Sequence, residues 1–155
     1  MTPAINELNK HGIDHRVHEY AHDPSSQSYG LEAASKLGVD ESRVFKTLVV
    51  ELGTGELAVA IIPVVNKLSM KLLAKAAGAK KAAMADKKDV ERSTGYVLGG
   101  VSPLGQRKRL RTVLDESAEA FDTIYVSAGR RGLEIELDPA ALLRLTSGSS
   151  ARVCE

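Results

Sequence analysis

The sequence predicts an α+β fold. Two β-branched and almost uninterruptedly apolar runs, VFKTLVVEL (44–52) and LAVAIIP (57–63), flank the glycine-bearing loop Gly53-Thr54-Gly55-Glu56. That is the pattern of a hairpin whose strands are covered on both faces. Around it lie short segments bounded by capping residues and glycine stops, the marks of helices. Helices and strands follow each other without the regular βαβ alternation of a parallel doubly wound sheet.

Taken in order, Thr2 and Pro3 read as N-cap and first-turn proline of an opening helix, with Ile5 and Leu8 on its apolar stripe and Gly12 as its stop. HRVHEYAH (15–22) alternates roughly and predicts a strand with Tyr20 near its end, closed by the turn cluster Asp23-Pro24-Ser25-Ser26. YGLEAASKLG, from Tyr29 to Gly38, is rich in helix formers and ends on the residue best suited to a left-handed C-terminal turn. Beyond the hairpin, Leu68 to Ala77 predicts a helix with Ser69 as N-cap, and Asp86 to Ser93 another. Strands are expected around RTVLD, TIYVSA and LEIEL, before a last helix capped by Asp138 with Pro139 in its first turn.

With 155 residues and no repeat or linker, the chain is expected to form one domain over 1–155. Lys and Arg number 21 against 20 Asp and Glu, a net charge of +1, so any affinity for a polyanion must come from where the cations sit. The single cysteine, Cys154, excludes an internal disulfide framework and any multi-cysteine zinc site, and fits a reducing cytoplasm. Its penultimate position suggests a frayed bystander. The N-terminal stretch carries no long apolar run, so neither a signal peptide nor a membrane span is expected.

Few residues offer chemistry by themselves. His11, His15, His18 and His22 would share a face only on one continuous helix, which Gly12 interrupts, so surface or structural histidines are expected and no metal. GVSPLG approaches the nucleophile elbow G-x-S-x-G, but Pro103 follows Ser102 and Gly105 comes one residue late. No dinucleotide fingerprint or P-loop occurs, so no nucleotide cofactor is expected. Lys46 interrupts an apolar strand: its ammonium either snorkels to solvent or meets an anion. Gly99-Gly100 is either a tight turn or bare backbone whose N–H groups can hold a developing oxyanion. Arg107, Lys108, Arg109 and Arg111 follow that loop directly, and Lys80-Lys81, Lys87-Lys88 and Arg130-Arg131 add basic pairs that could line the same side and meet phosphates.

FKTL (45–48), AVAIIP (58–63), STGYVLGGVSPLGQRKRL (93–110) and IYVSAGRRGLEIEL (124–137), in that order, resemble the YbaK family. These are free-standing Cys-tRNA(Pro)/Cys-tRNA(Cys) deacylases related to the editing domain of bacterial prolyl-tRNA synthetases. The resemblance implies a mixed, largely antiparallel β-sheet or partly closed barrel with surrounding helices. It implies removal of cysteine from mischarged tRNA(Pro) without metal or cofactor, with prolyl-tRNA synthetase as partner. Lys46 would position the terminal adenosine or phosphate, and the N–H groups around Gly99, Gly100 and Val101 would hold the ester carbonyl. Tyr20 and Phe45 would wall the amino-acid site, with Thr47, Ser102 and Pro103 beside the substrate. Ser127 and Glu134 match polar family positions, the glutamate standing where aspartate is commoner. Arg107, Lys108, Arg109, Arg130 and Arg131 would meet the tRNA backbone. In the family the bound cysteine's thiol attacks its own ester to give a thiolactone, which agrees with the lack of a protein nucleophile. Removal of alanine from tRNA(Pro), or tRNA binding without turnover, are the alternatives.

Overall fold

The computed structural model describes residues 1–155. A five-stranded mixed sheet forms from β2 (Phe45–Leu52), β3 (Leu57–Pro63), β4 (Ala82–Met84), β5 (Arg111–Asp115) and β8 (Ser149–Ala151), in the order β4-β2-β3-β5-β8. A three-stranded antiparallel sheet holds β1 (Arg16–Glu19), β7 (Leu133–Leu137) and β6 (Ile124–Arg130), with β7 central. The β2–β3 hairpin pairs antiparallel from Phe45–Pro63 to Glu51–Leu57, whereas β3–β5 and β5–β8 pair parallel. A single bridge, Val44 to Tyr125, ties the two sheets together where β2 begins.

Both faces of the β2–β3 hairpin are covered, which explains why β3 is apolar throughout and β2 nearly so. Phe45, Val49, Val59 and Ile61 point into a core between the two sheets, which α1 (Pro3–Lys10), α4 (Lys87–Thr94) and α5 (Pro139–Thr146) close with Leu8, Val90 and Leu142. Their neighbours Val50, Leu52, Ala58, Ala60 and Ile62 point the other way, under Leu73 and Ala77 of the segment containing α3 (Met70–Ala76). A third, smaller cluster seats Ala33 and Ala34 of α2 (Tyr29–Leu37) on Val44 and Tyr125.

The capping residues act as the sequence predicts. Thr2, Ser69 and Asp138 accept hydrogen bonds from Ile5, Leu72 and Ala140 N–H, and Gly38 closes α2 at φ +68°. Two differences concern strands and one the C-terminus. β4 and β8, three residues each, pair at the sheet edges although neither alternates in hydrophobicity, because a sheet edge needs only backbone partners. Cys154 is not frayed: it bridges Leu68, and Glu155 N–H donates to Lys67 O at 3.0 Å, so the terminus is part of the core beneath α3.

Candidate active site

The first strand residues of β2 open into a cavity of about 350 Å³. Its walls are Phe45 to Leu48 of β2, Ser28 to Gly30 at the start of α2, Leu98, Gly99 and Val101 of the glycine loop, and Ser127, Arg130, Arg131 and Glu134 of the β6–β7 hairpin. Tyr20, Gln27 and Val64 complete it. Segments far apart in the chain thus meet where the two sheets join.

The loop from Gly95 to Gly105 is held at several points. Buried Tyr96 donates its hydroxyl proton to Leu104 O at 2.6 Å, and burial pushes that phenol up to about 12, so it stays a donor. Glu91 accepts from Leu98 N–H, and Ser102 Oγ from Leu104 N–H. Ser102, fully buried, is scaffold for the loop. Gly99 adopts φ +93°, and a Cβ there would lie 2.7 Å from Arg131 Nη2 and 2.8 Å from Tyr29 Cε2. Only glycine suits that backbone and leaves room for the Arg131 guanidinium, which stacks 3.8 Å from the Tyr29 ring centroid.

The amides of this loop are not equivalent. Gly100 N–H donates to Val97 O at 3.0 Å, closing a turn, so it is not free to hold a substrate oxygen; Gly99 and Val101 N–H have no backbone acceptor. Gly100 supplies clearance instead, since a Cβ there would sit 3.3 Å from Arg130 Cα. Of the three amides expected from the sequence as oxyanion donors, Gly99 and Val101 N–H are therefore the two left without an acceptor.

On the β2 wall, Lys46 is half-buried with no carboxylate within ion-pairing distance, and burial holds its ammonium below the usual lysine value. Thr47 Oγ1 is buried without any hydrogen-bond partner. Glu134, opposite Ser127 in the β6–β7 register, is 7% exposed and unpaired with any cation. Burial pushes its carboxyl up to about 8, so at neutral pH it is mainly the neutral acid. Ser127 Oγ accepts from Gly129 N–H, and no histidine lines the cavity.

The Glu134 carboxyl has a measurable consequence for stability. Because its folded value lies above the ordinary 4.5, the folded chain keeps a proton between about pH 4.5 and 8 that the unfolded chain has lost. Stability from this group is full below that window and declines as pH rises through it. Glu134→Gln is expected to remove the decline, gaining on the order of 1–3 kcal/mol over the parent as pH goes from about 5 to about 8.5. Denaturant titrations at both pH values check this; parallel curves would refute it.

Several expected site residues lie elsewhere. Pro103, Lys108 and Arg109 line a separate small cavity with Glu7 and Thr146, and Arg109 donates to Ser147 Oγ. Arg107 packs its side chain beside Gly95. The cations that reach the glycines in space are Arg130 and Arg131, not the run that follows them in sequence. Lys81 packs against Gly53 at the far end of β2, so the Lys80-Lys81 pair does not line this cavity. Three of the four histidines have separate partners: Ile13 O for His15, Glu136 for His18 and Glu32 for His22. Cys154 carries a thiol pushed up to about 12 by burial and by Asp115, which leaves it inert at neutral pH.

Tyr29 and Gly30 were not legible as site residues. The available signal was Gly30, since a glycine inside a helix costs about 1 kcal/mol against alanine and needs a reason. The reason is packing: a Cβ there would fall 2.1 Å from Val64 Cγ1 on the pocket wall.

Known proteins resemble this chain in sequence and in architecture. The aminoacyl-tRNA editing domain model matches residues 24–145, and the chain belongs to that family. It is 41% identical over 152 residues to EbsC of Enterococcus faecalis, which bears the name Cys-tRNA(Pro)/Cys-tRNA(Cys) deacylase; the match covers 98% of this chain and 92% of that one. YwhH of Bacillus subtilis is 33% identical over 112 residues, 72% of this chain and 70% of its own. A solved structure described as a trans-editing enzyme for prolyl-tRNA synthetase superposes with a TM-score of 0.86 at 25% identity, covering 99% of this chain and 95% of that one. No helix is long and apolar enough to cross a membrane.

Proposed function

We propose that this chain is an aminoacyl-tRNA deacylase that removes cysteine from Cys-tRNA(Pro), acting as one editing domain over 1–155. The observation that carries it is the pairing, in one cavity, of two unsatisfied amide donors, Gly99 and Val101 N–H, with the unpaired ammonium of Lys46. Such a site binds an ester whose carbonyl gains negative charge and whose alcohol belongs to a phosphorylated polymer. The 41% identity to a protein named for this deacylation supports the choice of cysteine.

The chemistry follows from what the cavity lacks. Ser127 and Thr47 have no histidine to activate them, and Glu134 is protonated, so no side chain forms a nucleophile–base pair. The substrate's own thiol supplies the nucleophile. A bond forms from sulfur to the carbonyl carbon, the bond from that carbon to the ribose 3′-oxygen breaks, and the thiol proton passes through solvent to that oxygen. The products are a four-membered thiolactone and free tRNA. The protein's part is to orient the ester and to place two N–H donors on its oxygen. Lys46 meets the terminal adenosine or its phosphate, and Arg130 and Arg131 meet phosphates at the rim. Prolyl-tRNA synthetase is the partner in this scheme, as suggested by the likeness to a trans-editing enzyme for that synthetase.

Incubation of the purified protein with Cys-, Ala- and Pro-tRNA(Pro) tests the assignment. Cys-tRNA(Pro) is expected to be cleared about 100-fold or more faster than Pro-tRNA(Pro), which has no thiol to attack its own ester, with thiolactone among the products. Equal clearance of Ala-tRNA(Pro) would overturn the thiol mechanism, and clearance of none would overturn the enzyme.

A further inference from the structure

Residues 67–88 carry seven lysines and a single acid, Asp86, so this stretch is net +6 in a chain whose total is +1. The rest of the molecule is net negative. All seven lysines are exposed, and none forms an ion pair. The nearby carboxylates are few: Asp86 itself, Asp89, which pairs with Arg92, Glu51 opposite Ala83, and Glu155 beside Lys67.

The fold turns this composition into a track. Pro63 lies opposite Phe45 at the pocket end of β2, and β4 lies opposite Val50 to Leu52 at the other end. The intervening chain therefore runs back along the length of β2, about 20 Å for strands of this size. Lys67 stands at the pocket end, where Leu68 bridges Cys154. Lys71 and Lys75, four residues apart, share the outer face of α3, whose inner face buries Leu73 and Ala74. Lys80 and Lys81 reach the far end before β4, where the track ends; Lys87 and Lys88 open α4, which packs Val90 on the opposite face of the sheet. Lys46 belongs to the same side, since it shares its face of β2 with Leu48, Val50 and Leu52, which α3 covers.

We propose that the outer face of α3 and the β4 edge hold the phosphate backbone of the acceptor duplex whose 3′ end enters the Lys46–Gly99 pocket; this rests on the deacylase function proposed above. A polyphosphate fits the surface better than an acidic protein segment. Evenly spread point charges neutralise phosphates, whereas a protein interface needs apolar anchors at its centre, and only Met84 is large, apolar and exposed here.

The test is the triple variant Lys71→Gln/Lys75→Gln/Lys80→Gln, all exposed positions, of which the two in α3 go to glutamine without loss of helix propensity. Its affinity for a tRNA(Pro) transcript is expected to fall about tenfold or more, and the slope of log affinity against log salt to flatten by up to about 3. Turnover of cysteinyl-adenosine, which lacks phosphodiesters, stays at the parent rate. Parent affinity and slope for the transcript would overturn the proposal, and so would weakened co-purification of prolyl-tRNA synthetase with tRNA binding intact. Failure of the parent protein to turn over cysteinyl-adenosine would count against the deacylase function alone, because the salt slope still reports on this face.

Discussion

Lys46→Ala is expected to lower kcat/KM for Cys-tRNA(Pro) deacylation by about 100-fold or more, with a Tm within about 3 °C of the parent protein. The two halves of that expectation have the same cause. The ammonium is half-buried, no carboxylate pairs with it, and burial depresses its pKa, so its charge is held in the folded state at a cost. Removing it relieves that cost and offsets the packing lost with the aliphatic stem. The activity has no such compensation, because no other cation shares the β2 wall of the pocket. Lys46→Met keeps the stem and removes only the charge, and is expected to be as inactive as the alanine variant. A methionine variant with near-parent kcat/KM in steady-state assays would show that Lys46 acts by filling space.

Gly105→Ala is expected to destabilise the protein by about 3 kcal/mol or more, a fall in Tm on the order of 10 °C by thermal circular dichroism. Gly105 sits at φ +66°, and a Cβ there would lie 2.4 Å from Pro3 C, 2.6 Å from Pro3 O and 2.7 Å from Ala4 N. These are backbone atoms of the first turn of α1 and cannot rotate aside. The substitution must push α1 away from the glycine loop, breaking the bond from Gly105 N–H to Glu7 Oε1 and loosening the Tyr96–Leu104 contact next to it. Deacylation falls with it, since the same loop carries Gly99 and Val101. A Tm within about 2 °C of the parent would mean that the loop and α1 are not rigidly joined.

These residues show what a linear reading can and cannot reach. The helices were legible because their boundaries are local chemistry: Thr2, Ser69 and Asp138 each accept from an N–H two or three residues ahead. The β2–β3 hairpin was legible because β3 is apolar from Leu57 to Pro63 and β2 departs from apolar only at Lys46, Thr47 and Glu51, around a glycine-bearing loop. β4 and β8 were not, since three residues give no period and their pairing is decided by a partner strand. In the site, Lys46 and Gly99 stood out because each breaks a local rule, a charge inside an apolar strand and bare backbone in a loop. Tyr29, Gly30 and Val64 broke none that spacing alone could expose, apart from the glycine in a helix.

By itself the sequence determined the α+β class, the order of the principal elements, the absence of a nucleophile–base motif, and the two polar anomalies around which the site is built. Charge placement was beyond it. Arg107 to Arg109 adjoin the glycines along the chain, yet the loop turns back at Gly105 onto α1, leaves Arg107 beside Gly95 and carries Lys108 and Arg109 to another cavity, while the β6–β7 hairpin delivers Arg130 and Arg131. The division of labour between Gly99, Gly100 and Val101 also came from tertiary structure, because only the folded turn consumes the Gly100 N–H on Val97 O. Periodicity and capping act within a few residues, whereas which charge faces which amide depends on contacts between segments up to about a hundred residues apart, and those are set by packing.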